Sequence, residues 1–142
     1  MALTETLLQE QLQLPVTVES DRKCAVFIVD DEPMVGEVVG MVLSLEGYKT
    51  RVFTSPEDAL DALATAAEKP ELLITDFAMN PVNGVELIAR FKQIVPALRT
   101  ILYSGSVSDE EAPNFRHAAN AFLNKPFLPR ELIQTVRSVV PK

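Results

Sequence analysis

At 142 residues, of which 47% are hydrophobic and 23% charged, the chain has the size and composition of one globular domain with its own core. Its net charge of −7 argues against non-specific binding to nucleic acid or to an anionic membrane surface. The single cysteine, Cys24, excludes an intrachain disulfide and fits a reducing compartment. No stretch approaches the roughly 20 apolar residues of a membrane span and no secretory signal opens the chain, so we expect a cytoplasmic protein.

The first 22 residues differ from the rest and are interpreted as an extension, with the domain itself running over residues 23–142. Leucines at helical spacing predict a short helix before Pro15, and these are Leu3, Leu7, Leu8 and Leu12. A helix this short is marginal alone. The extension is therefore either a frayed segment or a helix used for docking or dimerisation.

From residue 24 onward, apolar runs that end in polar or turn residues alternate with segments of helical periodicity. The runs predict strands over residues 24–29, 72–76, 99–104 and 121–124, and the β-like segment 49–53 predicts a further strand, second in chain order. Five helices are predicted after them, and these begin near Pro33, Pro56, Gly84, Ser108 and Pro129.

Apolar residues recur at helical spacing in these segments and predict which helix faces meet the core. In the first helix they are Met34, Val38, Met41, Val42 and Leu45, and in the second they are Ala59, Leu60, Leu63 and Ala66. The third is expected to face inward with Leu87, Ile88, Phe91 and Ile94. In the last helix they are Leu132, Ile133, Val136, Val139 and Val140.

Five strand–helix units in succession predict a parallel sheet with right-handed crossovers and helices on both faces. The predicted class is α/β, a doubly wound, flavodoxin-like (βα)5 sandwich with strand order 2-1-3-4-5. In that order the first and third strands are neighbours, and the carboxyl ends of all the strands lie on the one edge where such sheets bind ligands.

The strand ends deliver reactive side chains to this edge. In chain order they are Asp30, Asp31 and Glu32 after the first strand, Asp76 at the end of the third, Ser104 at the end of the fourth and Lys125 after the fifth. Carboxylates about 4 Å apart repel by about 4 kcal/mol per pair at an effective dielectric constant of about 20. Protonation or a bound cation relieves this repulsion, and oxygen ligands suit Mg²⁺ or Mn²⁺.

A cation site flanked by a hydroxyl and an ammonium group is typical of phosphoryl transfer. In such a site Asp76 could attack phosphorus and form an acyl phosphate. A Mg²⁺-dependent phosphatase of the haloacid-dehalogenase type uses a similar set of groups. That class normally needs Asp-x-Asp after its first strand and a cap domain, and the adjacent pair Asp30-Asp31 lacks that spacing.

Four motifs in chain order carry a resemblance to the receiver domain of bacterial two-component response regulators. They are VDDE at 29–32, LLITD at 72–76, LYSGS at 102–106 and FLNKPF at 122–127. The resemblance implies that Asp76 is the phosphoacceptor and that Ser104 and Lys125 bind the phosphoryl group. It implies a metal held by Asp30, Asp31, Asp76 and the backbone carbonyl of Ala78. It also implies a switch formed by Ser104 and Phe122, and a cis peptide bond before Pro126.

The chain departs from the family's pattern in three places. The proline of the loop after Asp76 is Pro81, one position later than usual, because Asn80 follows Met79. Ala118-Ala119 stands where Gly-Ala is usual, and Phe122 lacks the hydroxyl of the tyrosine often found there. None of these changes removes the reactive set.

The resemblance implies a phosphorylation switch that promotes only its own phosphorylation and dephosphorylation, and not an enzyme acting on a separate substrate. The phosphoryl donor would be a histidine kinase or a histidine phosphotransfer protein. Output would pass to an effector protein through the face built from the helix near Ser108, the fifth strand and the last helix, with no direct contact to nucleic acid or membrane. We expect a monomer or a weak homodimer. Two alternatives remain open: a receiver fragment of a larger regulator, and a receiver-like interaction module that is not phosphorylated.

Overall fold

The computed structural model describes residues 25–105 and 117–141. The predicted helix of the N-terminal extension, Cys24 and most of the helix predicted from Ser108 lie outside the described residues. Within them, the strands are β1 (Ala25–Val29), β2 (Lys49–Phe53), β3 (Leu72–Asp76), β4 (Arg99–Ser104) and β5 (Ala121–Asn124). The helices are α1 (Pro33–Leu45), α2 (Pro56–Thr65), α3 (Gly84–Ile94) and α4 (Pro129–Val139).

The five strands form one parallel sheet in the order β2-β1-β3-β4-β5, which confirms the predicted fold class. The central strand β3 is buried at every position, as its unbroken apolar run predicts. Its neighbours β1 and β4 pair with it over most of their length, so their carboxyl ends lie beside Asp76.

Two apolar layers flank the sheet. Helices α1 and α4 pack against each other on one face, and α2 and α3 do so on the other. Side chains alternate between the layers along each strand; Phe27 and Val29 of β1, for example, face α2 and α3, whereas Val26 and Ile28 face α1 and α4. In the part of the chain that the structure describes, no helix is long and apolar enough to cross a bilayer.

Helix α1 is present as predicted, but it turns a different face to the sheet. Four of the five residues that showed the helical spacing are exposed; they are Met34, Val38, Met41 and Leu45. The buried face contains Gly36, Val39, Gly40 and Leu43 instead. The two glycines allow a close approach, because a Cβ atom at Gly40 would lie 2.8 Å from Val52 Cγ2 and one at Gly36 would lie 3.0 Å from Val52 Cγ1.

The prediction that Ile94 of α3 faces the core is wrong. Leu87, Ile88 and Phe91 are buried as expected, but Ile94 is 45% exposed. It is the last residue of the helix, and Val95 and Leu98 of the following turn pack against the core there. The apolar positions at this end of the helix therefore belong to the turn.

Candidate functional site

An open cleft of about 420 Å³ lies at the carboxyl edge of the sheet. Its walls come from four strand ends and the segments that follow them, and the lining residues are Asp31, Glu32, Asp76, Ala78, Ser104, Gly105 and Lys125. The parallel topology accounts for this convergence, because every strand ends at the same edge. The structure therefore brings these side chains together at one edge of the sheet, where the strand order predicts them.

Three carboxylates meet at this edge. One oxygen of each of Asp30, Glu32 and Asp76 lies within 4.8 Å of the others. Asp30 and Asp76 are buried, whereas Glu32 is exposed. At such separations the carboxylates repel strongly unless a positive charge lies among them.

Lys125 supplies that charge. Its Nζ atom lies 3.2 Å from Asp76 Oδ2, 3.5 Å from Glu32 Oε1 and 3.6 Å from Asp30 Oδ2. The side chain of Lys125 is 21% exposed, so it reaches the group from the open side of the cleft. Its backbone N–H donates to the carbonyl of Ser104 at 3.1 Å, which ties the start of the segment after β5 to the end of β4.

Asp30 has a donor for each of its side-chain oxygens. The backbone N–H of Glu32 donates to Oδ1 at 2.8 Å, and the hydroxyl of Tyr103 donates to Oδ2 at 2.6 Å. Asp30 is completely buried, so these contacts replace water around a carboxylate inside the protein. Together they fix the direction in which the carboxylate points.

Burial, and secondly the charge of Asp30, raises the pKa of Asp76 above its usual range, although Lys125 acts in the opposite direction. Burial by itself would lower the pKa of Lys125, but Asp30 and Asp76 outweigh it and raise the pKa, so the side chain stays charged. Burial, followed by the charge of Asp30, also raises the pKa of Tyr103, which keeps its hydroxyl protonated as a donor.

The loop after β3 is held close to Asp76. The backbone N–H of Ala78 donates to Asp76 Oδ1 at 3.3 Å, and the N–H of Gly84 donates to the carbonyl of Phe77 at 2.9 Å. A Cβ atom at Gly84 would collide with the backbone oxygen of Asp76, so only glycine fits there without a shift. Two peptide bonds near the cleft are cis, Asn80–Pro81 and Lys125–Pro126.

The structure brings most of the expected site residues together. Asp76, Ala78, Ser104 and Lys125 line the cleft with Asp31, and Asp30 lies behind them. Ser104 is buried at the end of β4, and Phe122 lies half-buried on β5, packed toward α2 and α3. The third member of the close carboxylate group is Glu32; Asp31 is exposed on the cleft wall.

Two residues of the site have roles that the sequence does not predict. The sequence places Glu32 near the strand end, but its position in the carboxylate group depends on how the first turn of α1 is oriented. Tyr103 lies in an apolar strand, and its polar partner Asp30 is 73 residues away. A phenol inside a buried run next to Ser104 signals that a hydrogen-bond partner is needed, but does not indicate which one.

The donor set suits a hard cation. Every candidate ligand is a carboxylate or backbone oxygen, which matches the preference of ions such as Mg²⁺. Asp76 is a buried carboxylate that opens onto the cleft beside an ammonium group, and this is a suitable environment for a nucleophile toward phosphorus.

Comparisons with known proteins agree with this geometry. The family model described as the response regulator receiver domain matches residues 26–137. A 14.6 kDa protein of Leptolyngbya boryana, from the sodA1 3′ region, is 32% identical over 79% of this chain and 86% of its own length. The transcriptional regulatory protein CssR of Bacillus subtilis is 30% identical over 81% of this chain, which spans only 50% of CssR.

A solved structure shares the fold. The CheY-like receiver domain protein of Methanospirillum hungatei superimposes with a TM-score of 0.72 and 24% identity, covering 80% of this chain and 90% of that one. The sheet order, the acidic cleft and the family match over residues 26–137 lead to one conclusion. The chain belongs to the receiver domain family of response regulators.

Proposed function

We propose that this receiver domain is a phosphoacceptor switch in which Asp76 accepts a phosphoryl group from a histidine kinase or a histidine phosphotransfer protein. Receiver domains are signalling modules that interact with histidine kinases and with effector domains. The observation that carries the proposal is the 3.2 Å contact between Lys125 Nζ and Asp76 Oδ2 inside an acidic cleft. An ammonium group at that position can balance the charge of an incoming phosphoryl group.

Asp76 would act as the nucleophile. One of its oxygens forms the new bond to phosphorus, and the donor histidine keeps the electron pair of the P–N bond that breaks. The Ala78 N–H and the Lys125 ammonium hold the carboxylate in place beforehand. After transfer, Lys125 and the hydroxyl of Ser104 would bind two of the phosphoryl oxygens.

We expect Mg²⁺, or Mn²⁺ in its place, to occupy the acidic cleft. The ligands expected from the family resemblance are Asp30, Asp31, Asp76 and the carbonyl of Ala78, and Glu32 adds a further carboxylate near them. When bound, such an ion neutralises charge on the carboxylates and on the phosphoryl oxygens.

Phosphorylation would add about −1.5 to −2 charges at Asp76 and draw the Ser104 hydroxyl toward it. Leu102 pairs with Phe122, and Ser104 lies two residues beyond Leu102, so Ser104 and Phe122 project from the same face of the sheet. A shift of Ser104 would open space into which Phe122 turns. The surface around β5 and α4 would then change, and we propose that an effector protein reads this change.

Acetyl phosphate with Mg²⁺ and intact mass spectrometry test the proposal. We expect addition of one phosphoryl group that hydroxylamine removes, because hydroxylamine cleaves acyl phosphates. Asp76→Asn should abolish the addition, whereas Asp58→Asn, which alters an exposed aspartate on α2, should leave it unchanged. Labelling that persists in Asp76→Asn would overturn the assignment.

Two further measurements separate the alternatives. Rapid hydrolysis of a small phosphate ester would indicate a phosphatase, and failure to bind both Mg²⁺ and beryllofluoride would indicate an interaction module that is not phosphorylated. A pull-down with and without beryllofluoride would identify partners whose binding depends on the switch.

A further inference from the structure

Tyr103 contacts two charged residues of the site, Asp30 and Lys125. Its side chain is fully buried, and its hydroxyl donates to Asp30 Oδ2 at 2.6 Å. Its ring lies under Lys125, with Nζ 5.0 Å from the ring centroid. Phe127 packs against the other part of the ring, at a centroid distance of 5.6 Å. A single rigid side chain therefore contacts both the carboxylate of Asp30 and the ammonium group of Lys125.

The contacts around Asp30 Oδ2 are of unequal length. The Tyr103 hydroxyl is at hydrogen-bond distance, whereas Lys125 Nζ stays at 3.6 Å, longer than a good charge-assisted hydrogen bond. Lys125 lies closer to Asp76, at 3.2 Å. Of these two groups, the hydroxyl is the nearer one to Asp30 Oδ2.

We infer that Tyr103 is a positioning residue that holds Asp30 away from Lys125, so that Asp30 remains available to a cation and Lys125 to a phosphoryl group. This inference rests on the proposed metal-dependent phosphoacceptor function. It concerns a residue that touches neither the phosphoryl group nor the metal, and that acts through the two side chains it contacts.

Removing the hydroxyl has a defined consequence. Without it, Asp30 Oδ2 loses its hydrogen bond while the ammonium of Lys125 lies 3.6 Å away, and a buried carboxylate oxygen that lacks a donor is costly. We therefore expect Asp30 and Lys125 to move closer together. A closer Asp30–Lys125 pair closes the site to a second cation. Tyr103→Phe keeps the ring, and with it the contacts to Lys125 and Phe127, so this substitution isolates the hydroxyl.

The experiment is titration calorimetry of the full chain with Mg²⁺. We expect Tyr103→Phe to raise the Kd for Mg²⁺ about tenfold, as is usual when a partner of a metal ligand is lost. The Mg²⁺ concentration for half-maximal phosphorylation by acetyl phosphate should rise in parallel, with a smaller change in the rate at saturating Mg²⁺. Tyr48→Phe is the matched control, because it alters the other buried tyrosine, which immediately precedes β2. Urea unfolding without Mg²⁺ checks that both variants are folded.

A double-mutant cycle with Lys125→Met tests the cause. If Tyr103 acts by keeping Asp30 off the ammonium group, Tyr103→Phe should no longer weaken Mg²⁺ binding once Lys125 is removed. An unchanged Kd in Tyr103→Phe, or a rise that persists in the Lys125→Met background, overturns the inference while leaving the proposed function intact. A wild-type chain that neither binds Mg²⁺ nor becomes labelled overturns both.

Discussion

Lys125→Met tests whether one ammonium group holds the acidic cleft together. The substitution keeps an unbranched side chain of similar length and removes a charge that lies 3.2 to 3.6 Å from three carboxylates. Each contact is worth about 4 to 5 kcal/mol at an effective dielectric constant of about 20 before the cost of desolvation. Glu32 is two-thirds exposed and its contact is screened, so most of the effect comes from Asp30 and Asp76.

Removal of one partner from a buried ion pair costs about 3 to 5 kcal/mol. Because the side chain of Lys125 is 21% exposed and its contacts are partly screened, we expect a smaller loss in the free energy of unfolding, about 2 to 4 kcal/mol at neutral pH without metal. Lys49→Met is the matched control: its 3.3 Å pair with Glu68 is solvent-exposed on both sides. Loss of an exposed pair costs about 1 kcal/mol or less.

The loss should also depend on pH with a definite sign. Burial raises the pKa of Asp76, so the fold is favoured while that carboxyl is protonated, and this stability is lost as pH rises through the raised pKa. Lys125 lowers that pKa, so its removal raises it further. The gap between wild type and Lys125→Met should therefore widen as pH rises above the raised pKa of Asp76 in the wild type.

Urea unfolding followed by circular dichroism, at several pH values with and without Mg²⁺, measures both effects. We expect Mg²⁺ to restore more stability to Lys125→Met than it adds to the wild type, because the cation no longer competes with an ammonium group. Equal losses of stability in Lys125→Met and Lys49→Met, or a loss in Lys125→Met that is independent of pH, would contradict this role for Lys125.

Three further substitutions test other parts of the structure. Gly84→Ala should lower the free energy of unfolding by about 1 to 3 kcal/mol through overpacking, and it should slow phosphorylation because the new methyl group would displace the backbone of Asp76. Gly47→Ala is the control: Gly47 has a positive φ of 97° and nothing within 4 Å of the added Cβ atom, so this substitution should affect stability only. Asp76→Asn should raise the urea midpoint at neutral pH without metal, and this gain should shrink as pH falls through the raised pKa of Asp76. Leu43→Ala should cost about 2 to 5 kcal/mol and Met41→Ala about 0.5 kcal/mol or less, because only Leu43 is buried; equal losses would contradict the orientation of α1.

The sheet was predictable because its signals are local. Most strands are short apolar runs, each described helix begins at a proline or after a capping residue, and alternation of the two leaves few topologies. The orientation of α1 was not predictable from periodicity, because the helix carries apolar residues on two faces. Its packing is decided by Gly36 and Gly40 against Val52, which is a contact between elements and leaves no periodic trace in the sequence.

In the site, too, some features follow from local sequence signals and others depend on contacts between elements. Asp30, Asp76, Ser104 and Lys125 could be assigned to one edge because each directly ends or follows a strand. The hydrogen bond between Tyr103 and Asp30 could not, because it depends on side-chain directions across two strands that are not adjacent in the sheet. Strand topology determines which groups meet, but the choice of donor for each oxygen depends on packing.

The charges of the cleft connect its burial with the proposed phosphorylation switch. Three carboxylates share one ammonium group, so the site carries excess negative charge in a partly desolvated place. Such a site gains stability from any added positive charge, and it resists an added phosphoryl group unless that charge is present first. Lys125 cannot serve the carboxylates and a phosphoryl group equally well at the same time. If the Lys125 ammonium moved from the carboxylates to a phosphoryl group on Asp76, the contacts of the segment that follows β5 would change at its start. This part of the sheet edge lies next to α4.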